Sequence, residues 1–109
     1  MKDDVVLLRY ILECVSRIDE DVIDGRDKFL ATHMIQDAVL RNLHTLCETT
    51  QRLSDQAKDK HPEVPWELIA AFRNVLVHDY LGIDLERTWQ VVTNDLLPLK
   101  TAIRDMLGE

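Results

Sequence analysis

Seven apolar residues in the last quarter of the chain, Leu85, Trp89, Val92, Leu96, Leu99, Ile103 and Met106, follow one another at spacings that alternate between four and three. A strand repeats every second residue and a helix every 3.6, so these steps draw one unbroken stripe along a helix and are incompatible with a sheet. Such a stripe must be covered. Val5, Leu8, Leu12, Val15 and Val22 recur at helical spacing near the start, and Leu68, Ile69, Phe72, Val75 and Leu76 form another apolar side. Between them Ile35, Val39, Leu43, Leu46 and Leu53 make a stripe that Leu40 and Cys47 widen, broad enough for two packing partners. There is no alternating strand pattern, internal repeat or low-complexity tract. The expected fold is all-α, an antiparallel bundle of four to five helices.

Breakers and caps divide it. Asp3 or Asp4 suits an N-cap for the first helix, which should end before "DGRD", Asp24 to Asp27. From about Phe29 to Leu53 there is neither proline nor glycine, which predicts one long second helix. "SDQAKDKHPEVP", Ser54 to Pro65, reads as a polar connector, with Pro65 in the first turn of a third helix. Gly82 can close that helix and Asp84 cap the next. Pro98 interrupts the final stripe and "TND", Thr93 to Asp95, offers a cap, so a kink or a fresh helix is expected there.

The chain has 109 residues, of which 46% are apolar and 30% charged, which suits one globular domain over 1–109. No apolar run reaches the roughly 20 residues that span a bilayer, and acids stand where a signal peptide carries basic residues. The expectation is a cytoplasmic protein with no membrane contact. Cys14 and Cys47 lie within helical patterns, outside any C-x-x-C spacing, and read as buried free thiols. A net charge of −7 weighs against nonspecific nucleic-acid binding, so any RNA contact must be a small cationic cleft, such as one shared by two subunits.

One stretch admits both a structural and a chemical account. "RNVLVHDY", Arg73 to Tyr80, sets an arginine, an asparagine, a histidine and a tyrosine among aliphatic residues on the third helix. Arginine offers a fork of donors that matches phosphate oxygens, and histidine gives or takes a proton near neutral pH, a pairing suited to RNA cleavage by the internal 2′-hydroxyl. Five residues separate Arg73 from His78, however, which is about 140° around a regular helix. Either the helix distorts near its end or two copies bring their motifs together. Asn74 and His78, four apart, share a face. The plainer alternative is that Arg73 pairs with a surface acid, His78 sits at the favourable C-terminal end of its helix and Tyr80 is an ordinary interfacial residue.

The remaining polar candidates are weaker. His33 with Asp37, and His44 with Cys47, share helix faces, but no third and fourth ligand converge, so no metal is expected. His61 falls in the connector and is expected to be exposed. Asn42 either fixes helix pairing or lines a cleft, and Arg41 is either a second phosphate contact or a surface charge. Trp66 and Trp89 read as core anchors.

The octapeptide and its flanks resemble a known family. "RNVLVHDY" matches the R-x4-H-x-Y form of the HEPN motif, and "HPEVPWELIAAFRNVLVHDYLGIDLERTW" is similar to the HepT group of HEPN toxins, which are paired with a minimal nucleotidyltransferase antitoxin. Gly82, Asp84, Leu85 and Trp89 belong to the matching pattern, and "RNLHTLCETTQRLSD" extends it into the second helix. There the family reads closer to R-N-L-E-x-I-G-E-A, so His44 replaces a glutamate and Cys47 a glycine, while Glu48 fits.

The resemblance implies a helical homodimer whose two motifs share one cleft, with metal-independent endoribonuclease activity and no cofactor. It implies that Arg73 holds the scissile phosphate, that His78 is the general acid or base and that Asn74 orients the site. Tyr80 matches a tyrosine to which the partner nucleotidyltransferase transfers AMP. Two other readings stand beside the RNA-cleaving toxin: a noncatalytic module that binds a nucleotidyltransferase and presents its substrate, and a purely structural homodimer.

Overall fold

The structure is a computed structural model that describes residues 2–109, with the side chains of Lys2, Asp3 and Tyr80 outside that description. All seven regular α-helices and the two tighter or wider turns between them are helical in character, with no strand among the described residues. In chain order the helices are α1 (Lys2–Asp21), α2 (Arg26–Ala31), α3 (His33–Gln51), α4 (Asp55–Asp59), α5 (Trp66–His78), α6 (Leu85–Gln90) and α7 (Leu96–Met106). Four long rods result, because α6 and α7 are joined through a π-helical turn at Val91–Asp95. The helical bundle drawn from the apolar stripes is the fold observed.

The stripes make the core. Leu8, Ile11, Val15 and Ile18 of α1 meet Val39, Leu43 and Leu46 of α3, and Val92, Leu96, Leu99 and Ile103 of the last stripe close over them, all buried. Side-chain clasps give the directions. Asp4, near the start of α1, accepts from the Ser54 backbone N–H at 3.2 Å and from Ser54 Oγ at 2.8 Å, just past the end of α3. Arg9 lies 3.9 Å from Glu109, and Asp19 is 3.4 Å from Lys100, so α1 also runs antiparallel to α7.

Several boundaries differ from expectation, each for a local reason. α1 begins at Lys2, so Asp3 and Asp4 lie inside it; Asp4 is buried and serves as the clasp to Ser54 instead of a cap. The chain leaves α1 through Gly25, whose φ of +94° is a conformation that favours glycine. The long second helix is two, broken at the extended Thr32 (φ −127°, ψ 104°). Gln36 Nε2 supports the break, donating to the carbonyls of Phe29 at 3.0 Å and Leu30 at 3.1 Å in the last turn of α2.

The connector holds a single helical turn, α4, capped by Ser54 Oγ accepting from the Ala57 N–H. His61, expected to be exposed, is buried. Its ring lies between Glu63 Oε2, 2.8 Å from Nδ1, and Asp105 Oδ2 of α7, 3.3 Å from Nε2. The tryptophans anchor as expected: Trp66 Nε1 donates to the carbonyls of His61 and Lys58, and Trp89 stacks at a tilt on the buried Phe29, with centroids 5.5 Å apart.

Before Pro98 the helix widens without stopping. The N–H of Leu96 bonds the carbonyl of Val91, five residues back, and Asp95 makes no side-chain cap. A proline has no N–H to return to the previous turn and its ring crowds that turn, so a widened turn immediately ahead accommodates it without ending the rod. Both cysteines are buried and unpaired, and burial pushes the Cys47 thiol up to about 12. No described helix is long and apolar enough to cross a membrane.

Candidate functional site

The octapeptide occupies the second half of α5 and the turn after it. α5 buries only a narrow strip, Ile69 and Leu76, against the core, with Phe72 and Arg73 at its margins. The opposite side, carrying Glu67, Ala71, Asn74 and His78 and flanked by Leu68 and Val75, is exposed. Leu68 and Val75 thus leave an apolar edge of α5 uncovered among the described residues. A shallow groove beside it, lined by Leu68, Ala71, Phe72, Val75 and Ile83 with Asp84 and Arg87 at its α6 side, continues that surface toward α6.

α5 remains regular through His78, and the chain turns only at Asp79 (φ −137°, ψ 41°), whose N–H still bonds the carbonyl of Val75. A 3₁₀ turn, Tyr80–Gly82, follows. A β-carbon on Gly82 would stand 2.7 Å from an Asp79 carboxylate oxygen, so the glycine lets the turn fold close under the helix end. Asp84 caps α6 as expected, its Oδ1 accepting from the N–H groups of Glu86 at 2.9 Å and Arg87 at 3.3 Å. Because the distortion comes after His78, Arg73 and His78 keep their helical separation of about 140°. Within one chain they face different ways.

Arg73 leans toward α3. Its Nε donates to Glu48 Oε1 at 2.7 Å and its Nη1 to Asn74 Oδ1 at 3.1 Å. His44, one turn earlier on α3, brings Nε2 to 3.5 Å from that same Glu48 oxygen. The hydrogen bond from Arg73 holds the Glu48 carboxyl below the usual range, with the nearby positive charge adding to it and partial burial opposing it. The surface-acid partner for Arg73 is therefore present. Glu48 was legible in sequence only as a residue matching the second-helix pattern, and its i, i+4 spacing from His44 was the available signal for the cluster.

His78 is exposed at the last position of α5 and makes no hydrogen bond or ion pair with a described residue. The side chain of Tyr80 lies outside the described residues; the turn that carries it has exposed neighbours, Asp79 and Leu81. Asn42, between its two expected roles, turns back on its own helix and donates to the Ala38 carbonyl at 3.0 Å, while Arg41 is exposed. Among the described residues no group of three or more His, Cys, Asp or Glu could hold a metal ion.

Comparison with known proteins shows the family to which the chain belongs. A family model described as Ribonuclease HepT-like matches residues 8–106. A Methanocaldococcus jannaschii protein named "Gamma-glutamylcyclotransferase and putative RNase" is 34% identical over 99% of this chain, which spans about half (49%) of that relative's length. A "Putative RNase" from the same organism is 36% identical over 99% of this chain and 93% of its own. A "Probable ribonuclease HepT" from Thermococcus cleftensis is 35% identical over 68% of this chain and 67% of its own. No solved structure matches significantly. With that family model covering nearly every residue from α1 to the end of α7, and with Arg73 and His78 of the R-x4-H-x-Y motif both carried on α5, the chain belongs to the Ribonuclease HepT-like family.

Proposed function

We propose that the protein is the toxin of a HepT and minimal nucleotidyltransferase pair, a cytoplasmic endoribonuclease that needs no metal and works as a homodimer. The observation that carries this reading is the regularity of α5. One chain holds Arg73 and His78 about 140° apart, and the exposed apolar face between Leu68 and Val75 is where a second copy would bring an Arg73 and a His78 of different chains to one phosphate.

In that cleft Arg73 holds two oxygens of the scissile phosphate and balances the charge that builds on them. The substrate's 2′-oxygen attacks phosphorus and the bond to the 5′-oxygen breaks, leaving a 2′,3′-cyclic phosphate and a 5′-hydroxyl. His78 moves the proton, a contribution of about 10²–10⁴-fold. Asn74, already bonded to Arg73, orients it. Tyr80 is the acceptor of AMP from the antitoxin; an unmodified phenol carries no charge at neutral pH, whereas an attached AMP adds bulk and negative charge where the RNA backbone must lie.

The test is incubation of pure protein and its His78→Ala variant with total cellular RNA in EDTA. Cleavage by the wild type alone, leaving cyclic phosphate ends, is expected. The net charge of −7 favours a second reading, a noncatalytic module that presents a substrate to a nucleotidyltransferase. An inactive wild type shown by mass to be unmodified at Tyr80 would support that module in place of the nuclease.

A further inference from the structure

Glu48 Oε1 faces two nitrogen-bearing side chains. It accepts from Arg73 Nε at 2.7 Å and stands 3.5 Å from His44 Nε2. While His44 is neutral, the charges of Arg73 and Glu48 cancel, and the phosphate-binding group of an acidic chain presents no net charge. When His44 is protonated, one carboxylate faces two cations, the cluster carries +1, and the imidazolium takes part of the oxygen that tethers Arg73.

We propose that His44 is a positioning residue whose protonation loosens Arg73 from Glu48 and leaves the cluster net positive, so that the cleft grips an RNA phosphate more tightly as the pH falls. The inference rests on the assignment of Arg73 to the phosphate. On its own helix His44 has Glu48 one turn on and Arg41 three residues back, and Arg73 of α5 reaches the same Glu48 oxygen. The other helices packed on α3, α1 and α2, bring it no ion pair among the described residues. The arrangement needs no movement of the backbone, because both side chains are partly exposed and reach the same oxygen from neighbouring helices.

The experiment measures binding of a fully 2′-O-methylated RNA oligomer, which cannot be cleaved, by fluorescence anisotropy from pH 8 to pH 6 at fixed ionic strength. His78→Gln serves as the parent, which removes the other imidazole of the site. The parent should bind about threefold more tightly at pH 6 than at pH 8, the effect of one partly exposed charge. Adding His44→Gln, with folding confirmed by circular dichroism, should flatten that slope. Adding Glu48→Gln should tighten binding at pH 8, because Arg73 is then free at every pH. A flat parent, an equal slope with and without His44, or weaker binding on loss of Glu48 would overturn the inference while leaving Arg73 on the phosphate. If Arg73→Ala binds as well as the parent at pH 8, the phosphate assignment itself fails and His44 has nothing to position.

Discussion

Arg73 is bonded on two sides before any RNA arrives, to Glu48 and to Asn74, which is the contact expected of a plain surface ion pair. Magnitude decides how the pair should be read. A solvent-screened carboxylate contact contributes little, so a phosphate offering two oxygens to the guanidinium fork can displace it at small cost. The low pKa of Glu48 has a consequence for stability, as does that of Glu63, which His61 holds below the usual range by a hydrogen bond. A depressed carboxyl contributes stability that is complete above its ordinary value of 4.5 and is lost as the pH falls through the lowered one. Thermal melting should therefore show the wild type slightly above Glu48→Gln and Glu63→Gln at pH 7, with the gap closing below pH 4.5. A gap that stays constant to strongly acid pH would contradict the ion-pair account.

At the scale of elements, the clasp between Asp4 and Ser54 joins the start of α1 to the end of α3 and satisfies a carboxylate that is nearly all buried. Ser54→Ala removes both the bond to Asp4 Oδ2 and the cap on α4, and should cost about 1–3 kcal/mol in urea denaturation. A change within error would show that water replaces the hydroxyl. Neither clasp nor cap could be placed from sequence alone, since Asp4 reads equally well as an N-cap and finds its partner fifty residues away. The long stripes were legible because helical periodicity is written in every turn, and all seven residues of the last one pack in or against the core. The break at Thr32 was not legible. No proline or glycine marks it, and it is supported by Gln36 reaching back to α2. His61 was misread for the same reason, because its burial depends on Asp105 of a helix forty residues on. Around the site, the identities of Arg73, Asn74 and His78 could be read, as could the shared face of the last two; the tie to Glu48 needed the packing of α3 on α5.

For the whole molecule, charge and geometry make separate demands. A chain of net −7 repels RNA at long range, so the proposed cleavage would depend on a small positive field in the cleft and should slow as salt is raised. The proposed site calls for a second copy, because α5 ends its regular course only after His78. The most direct test is complementation. Arg73→Ala and His78→Ala chains are each made alone and then co-expressed, with heterodimer verified by native mass spectrometry and RNA cleavage measured in EDTA. A two-fold cleft that takes Arg73 from one chain and His78 from its partner predicts two inactive homodimers and a mixture that recovers about a quarter of wild-type activity, one intact half-site in the half of the molecules that are mixed. A mixture that contains the heterodimer and remains as inactive as its parents would contradict the composite site.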